Sequence, residues 1–203
     1  MQALGETLLE QLEALSVPEL VAVVLAIAYL LLAIRQNIWC WACAAVSTAI
    51  YVYLFVTAKL YMESMLNVFY FGMAVYGYSV WRRGGEAQTE LPVTVWPVRV
   101  HAAAIAAVIL LSAGTGFLFD RYTDAVYPYL DAMTTYAAIW TTFLVARKVL
   151  ENWWYWLVID AGSILLYLSR DLYLTSLLFV VYLAMIPFGI VAWKRSMREH
   201  AHA

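Results

Sequence analysis

Residues 152–160 of this chain read Asn152-Trp153-Trp154-Tyr155-Trp156-Leu157-Val158-Ile159-Asp160. On a helix, Trp153, Trp156 and Asp160 fall at i, i+3 and i+7, which is one face. Two indoles stacked over a carboxylate offer ring faces and a counter-charge to a planar cation, as cation–π recognition requires. Glu63 and Asn67, at i and i+4, form a second polar face. A third acid, Asp131, stands beside Thr134 and Thr135. Inside a bilayer a carboxylate near a helix centre costs about 2.5–3.5 kcal/mol, so such acids are functional or paired. No Lys or Arg lies mid-span to neutralise these three, and Asp160 is the deepest. Interfacial anchoring explains Trp153 and Trp154 almost as well as ligand stacking does. Trp156, a turn deeper, resists that explanation better.

The elements that position these residues are membrane helices. Of the 203 residues, 65% are hydrophobic and 13% charged, a balance that one water-soluble globule cannot hide. Aromatics reach 16%, more than interfacial belts alone need, although Trp81 and Trp193, beside the basic pairs Arg82-Arg83 and Lys194-Arg195, read as belt residues. Spanning takes about 20 mostly apolar residues. Seven segments qualify, at 18–34, 38–58, 61–81, 98–118, 126–147, 152–169 and 172–193. The fourth is mainly Ala, Val, Ile and Leu and reads as a connector.

Basic residues set the orientation. Arg35, Arg82, Arg83, Arg99, Arg147, Lys148, Lys194, Arg195 and Arg198 fall on one side, and Lys59, Arg121 and Arg170 on the other. The positive-inside rule makes the first side cytoplasmic, with the N-terminus outside and the C-terminus inside. Residues 1–16 hold Glu6, Glu10 and Glu13 but no Lys or Arg, so they lack the basic start of a secretory signal. Leu4, Leu8, Leu12 and Leu15 at helical spacing predict an amphipathic surface helix there. Cys40 and Cys43 sit in an apolar run between tryptophans, where thiolates are expensive to form, and read as packing residues. The formal net charge of −2 leaves no basic footprint for nucleic acid.

The chain repeats internally. Residues 60–83 lie on 172–195 at an offset of 112, with Leu60/Leu172, Tyr61/Tyr173, Ser64/Ser176, Leu66/Leu178, Tyr70/Tyr182, Gly77/Gly189 and Trp81/Trp193 in step. Upstream, Asn37-x-Trp39-x-Trp41 lies on Asn152-x-Trp154-x-Trp156 at an offset of 115, which implies a three-residue insertion between the blocks. The expected fold is therefore all-α and integral to the membrane, with seven transmembrane helices in a 3+1+3 arrangement. One connecting helix makes the two triplets parallel repeats, the plan of SWEET-like carriers with substrate near the midplane. The corresponding divisions are an N-terminal amphipathic helix at 1–16, a first triple-helix repeat at 17–83, a connector with helix four at 84–125, a second repeat at 126–196 and a cytoplasmic tail at 197–203.

Over roughly residues 17–196 the sequence resembles the PnuC family of bacterial vitamin transporters, whose mark is W-x-x-W-x-x-x-(N/D) in the sixth helix, here Trp153, Trp156 and Asp160. The LY…Y…G…W-(K/R)-R close at 172–195 belongs to the same resemblance. It implies a multi-pass protein of the bacterial inner membrane. Such proteins are homotrimers that carry nicotinamide riboside by facilitated diffusion, and a cytosolic kinase traps the product by phosphorylation on its way to NAD. The family's third helix typically carries Gln-x-x-x-Asn; Asn67 matches, and Glu63 replaces the Gln. A carboxylate there pairs with a thiazolium or an aminopyrimidine edge more strongly than an amide does, so thiamine is the alternative substrate. The implied binding set is Trp153, Trp156, Asp160, Glu63, Asn67, Tyr182 and Asn152. Tyr182, as the repeat mate of Tyr70, would close the site. No cofactor or metal is expected, and the partners are the small cationic vitamin and the lipid bilayer.

Other classes fit less well. A retinal protein needs a buried Schiff-base lysine, and Lys59, Lys148 and Lys194 lie at segment ends. An intramembrane enzyme finds no H-E-x-x-H or G-x-S-x-G, and His101, His200 and His202 are not mid-span. A scaffold leaves Asp160 and the repeat without a reason.

Overall fold

A computed structural model describes residues 11–12, 15–57, 61–84, 91–124, 127–169 and 172–201, except the side chains of 61–63 and 201. Its described helices are α1 (Val17–Ile34), α2 (Trp39–Thr57), α3 (Tyr61–Arg83), α4 (Val98–Tyr122), α5 (Pro128–Ala146), α6 (Asn152–Leu168) and α7 (Tyr173–Ala201). Most of the predicted surface helix at 1–16 lies outside the described residues. Within it, Gln11 accepts a hydrogen bond from the Leu174 backbone N–H at 3.0 Å.

Local chemistry sets the helix ends. Ser16 caps α1 by accepting from Glu19 N–H at 3.4 Å, with a proline in the first turn. The chain reverses after α1 at Gln36, which takes a left-handed φ of 54°, and after α5 at Lys148, φ 49°. Asn37 Oδ1 accepts from Trp39 N–H at 3.0 Å and starts α2. Pro97 precedes α4 and Pro128 opens α5. The linker before α4 is held in place at Thr94. Thr94 N–H donates to Lys148 O at 3.0 Å, and Leu150 N–H donates to Thr94 O at 2.8 Å.

Among the described residues four helices are long and apolar enough to cross a membrane, at Val17–Ile34, Trp39–Thr57, Val98–Tyr122 and Tyr173–His200. The other three, α3, α5 and α6, carry Glu63, Asn67, Asp131, Asn152 and Asp160. Outward faces hold large apolar side chains such as Val24, Ile109, Leu110, Phe117, Phe188 and Val191, as a bilayer requires. α1 packs on α2, α2 on α3, α5 on α6 and α6 on α7. α4 packs on α5, while α3 meets α5 and α1 meets α7.

A single offset relates the two sets of helices, which corrects the two-register reading of the sequence. Asn37 N–H donates to Leu32 O at 2.9 Å as Val149 N–H does to Leu144 O at 2.9 Å. Ser64 Oγ donates to Val52 O at 3.3 Å as Ser176 Oγ does to Ile164 O at 3.4 Å. The left-handed residues Gln36 and Lys148 coincide as well. All of these pairs are 112 apart, so Trp41 is the counterpart of Trp153, and no three-residue insertion separates the blocks.

Candidate functional site

The predicted face of α6 rises from the basic end of the bundle. Asn152, Trp153 and Asp160 are buried, Trp156 is half-buried, and Trp154 points outward at 52% exposure. Trp154 is thus the interfacial anchor of the run and Trp153 is not. Asn152 Nδ2 donates to Val149 O at 2.7 Å, which fixes the start of the helix. Seven residues separate Trp153 from Asp160, or about 10 Å of helical rise.

From Asp160 a series of phenols within electrostatic reach of one another runs through the bundle. Tyr182 on α7 interacts electrostatically with Asp160 and with Tyr51 on α2. Tyr29 on α1 interacts with Tyr182 and with Tyr70 on α3. Tyr167, two turns beyond Asp160, interacts with Tyr70 and stacks on Phe179, ring centroids 5.3 Å apart. Phe179 meets Tyr182 edge-on at 5.7 Å. Asn67 lies half-buried three residues before Tyr70, and its counterpart at the 112 offset is Phe179, as Tyr182 is the counterpart of Tyr70. The two helix faces at 67/70 and 179/182 are therefore equivalent positions in the repeat. Among the described residues no Lys or Arg forms a salt bridge with Asp160. A buried carboxylate within reach of the Tyr182 phenol, without a basic partner among the described residues, suits a planar cation.

Two further acids stand at helix starts. Glu63 sits in the first turn of α3, and its side chain lies outside the described residues. Asp131 stands in the first turn of α5, between Leu130 and Thr134, whose side chains face Gly162 of α6. Trp153 is brought to the site's lower edge and not into the open. Its ring covers Gly189, where a Cβ would collide with it, and its edge meets Trp193 at 5.5 Å, interplanar 88°. Trp41 repeats this arrangement on Gly77 and Trp81, at 5.5 Å and 86°. Trp81 and Trp193, read from the sequence as interfacial, are 7% and 0% exposed, so they are core and not belt. Tyr29, Tyr51 and Tyr167 were not singled out by the sequence, where isolated tyrosines in apolar helices carry no spacing signal.

No group of His, Cys, Asp and Glu suited to a metal occurs among the described residues. At the basic end His101 Nδ1 and Tyr155 Oη are 3.0 Å apart, and His101 Nε2 is 3.9 Å from Glu151 Oε2, which ties α4 to α6.

Comparisons with known proteins bear on the whole chain. It is 23% identical over 171 residues to the nicotinamide riboside transporter PnuC of Escherichia coli (strain K12), covering 72% of each. The transporter of the same name from Neisseria mucosa is 27% identical over 175 residues, 77% of this chain and 64% of that one. The riboflavin/roseoflavin transporter RibM of Streptomyces davaonensis is 25% identical over 187 residues, 89% of this chain and 86% of the relative. A crystal structure of the vitamin B3 transporter PnuC superposes with a TM-score of 0.71 at 25% identity, covering 89% of this chain and 81% of that one. A model of the nicotinamide mononucleotide transporter family matches residues 16–195, and with the helical fold and the α6 face already described, this establishes that the chain belongs to that family.

Proposed function

We propose that this multi-pass membrane transporter takes up nicotinamide riboside by facilitated diffusion. Family membership makes the chain a carrier and not an enzyme. The observation that carries the substrate assignment is the position of Asp160, buried on α6 at 3% exposure, within electrostatic reach of Tyr182 and one turn from Trp156. Trp156 stacks the pyridinium ring and Asp160 offsets its charge. Asn67 and Glu63 bond the amide or the sugar, Tyr182 closes the site, and Asn152 with Trp153 forms its lower edge. The two PnuC relatives are named for nicotinamide riboside, which supports this choice.

The arrangement behind this reading is 3+1+3, with α1–α3 and α5–α7 as parallel SWEET-like triplets and α4 as the connector. The equivalence of residues 112 apart and the pairing of α3 with α5 and of α1 with α7 support it. Alternating access is then a rocking of one triplet against the other. The same reading gives a homotrimer with cytosolic C-termini, whose product is trapped by a cytosolic kinase. Riboflavin is a second reading, favoured by the similarity to RibM over 89% of the chain. Its isoalloxazine is neutral, however, and would leave Asp160 without a counter-charge. Thiamine, weighed from Glu63, appears in none of the relatives' names above.

The test is counterflow in proteoliposomes. Vesicles preloaded with unlabelled nicotinamide riboside should accumulate the labelled compound transiently and without an ion gradient. Exchange with riboflavin or thiamine but not with nicotinamide riboside would overturn the assignment.

A further inference from the structure

Four buried tryptophans form a continuous chain at the basic end of the bundle. Trp41 meets Trp81 at 5.5 Å, Trp81 meets Trp193 at 6.5 Å, and Trp193 meets Trp153 at 5.5 Å. The central pair bonds crosswise. Trp81 Nε1, on α3, donates to Ala146 O at the end of α5 at 3.2 Å, and Trp193 Nε1, on α7, donates to Ala33 O near the end of α1 at 3.0 Å. Both bonds therefore cross from one set of helices to the other. Near the opposite end Ser64 and Ser176 bond within their own sets. The halves are thus fastened by polar bonds at the basic end, about 10 Å along α6 from Asp160.

At the α5–α6 turn the two repeats differ in charge. Lys148, 4% exposed, places Nζ 4.7 Å from the Trp81 ring centroid, so a cation of the α5–α6 turn sits on an indole of α3. Its counterpart at the 112 offset is Gln36, which has no charge to offer Trp193. Lys148 is held there by its left-handed backbone and by the bond from Thr94 N–H to its carbonyl.

We propose that the crossed pair Trp81–Trp193 is the gate that closes the basic end of the transport path, and that Lys148 is a positioning residue that holds the gate shut through Trp81. Opening breaks both indole-to-carbonyl bonds and lifts the Trp81 ring off the ammonium. The inference rests on the chain being a transporter and not on which vitamin it carries.

A native thiol reports on the gate. Cys40 is fully buried in the same cluster as Trp41, Trp81 and Trp193. In a Cys43→Ser background, maleimide labelling of Cys40 in proteoliposomes, read by peptide mass spectrometry, measures how often the basic end opens. Ser176→Cys, a near-isosteric change at a site 3% exposed near the other end, provides a second thiol that reports general loosening. The expected result is slow labelling of Cys40 in the parent. Trp193→Phe or Lys148→Met should accelerate it about tenfold, Lys148→Arg should return it to the parental rate, and the Ser176→Cys thiol should be unaffected throughout. An unchanged Cys40 rate, or equal acceleration at both thiols, would overturn the proposal. Neither readout depends on substrate identity, so failed nicotinamide riboside exchange would leave this result standing.

Discussion

Trp153 lies flat on Gly189 with its edge against Trp193, and Trp41 lies in the same way on Gly77 with its edge against Trp81. Each glycine exists to admit a ring. Gly77→Ala or Gly189→Ala overpacks a fully buried contact, which costs about 1–3 kcal/mol. A drop of several degrees in the melting temperature of the detergent-purified protein is the expected outcome. Gly72 and Gly114 have nothing within 4 Å of a built Cβ, so Gly72→Ala and Gly114→Ala should leave the transition unchanged or slightly raised.

Trp156→Ala should weaken nicotinamide riboside binding about 30-fold, the equivalent of a desolvated cation–π contact of about 2 kcal/mol. Trp156 is half-buried and packs beside the core cluster without belonging to it, so the variant should stay folded. Calorimetry alongside a thermal scan separates the two effects. Full-strength binding by a folded Trp156→Ala protein would remove Trp156 from the site.

Asp160→Asn tests charge against shape. The amide keeps the acceptor oxygen and removes the counter-charge, so binding of the cationic riboside should fall about tenfold, or roughly 1.4 kcal/mol. Binding of its neutral, reduced dihydropyridine form should change little. Equal losses for both ligands would make Asp160 a structural residue.

Glu63→Gln restores the amide that the family resemblance leads one to expect. On the present account nicotinamide riboside binding survives this change within a few-fold. A shift of preference from thiamine to the riboside, measured by competition, would instead make Glu63 the determinant of a thiamine carrier.

Much of this architecture is legible in the sequence. The seven predicted segments coincide with seven described helices, four of which are long and apolar enough by themselves to cross a membrane. The last helix runs past its apolar end to Ala201, where Arg195 Nε donates to Glu199 Oε1 at 2.8 Å across one exposed turn. The Trp153/Trp156/Asp160 face was readable because helical spacing fixes it. The register of the repeat was not. Asn37-x-Trp39-x-Trp41 resembles Asn152-x-Trp154-x-Trp156 by composition, but Trp39 is 64% exposed, and the left-handed turns at Gln36 and Lys148 set the true offset of 112. Trp81 followed by two arginines looks interfacial in one dimension. Only the crossing of α3 with α5 turns it inward to Ala146 O. The tyrosines that lead to Asp160 through Tyr182 come from α1, α2, α3 and α7, an arrangement that no local pattern encodes.

The central claim is that α6 presents a stacking face and a counter-charge to the pyridinium of nicotinamide riboside. Calorimetry of the purified wild-type protein with nicotinamide riboside, riboflavin and thiamine tests it most directly. Saturable binding of one nicotinamide riboside per chain is expected, with riboflavin and thiamine at least about tenfold weaker. Tight binding of riboflavin or thiamine with none of nicotinamide riboside would contradict it.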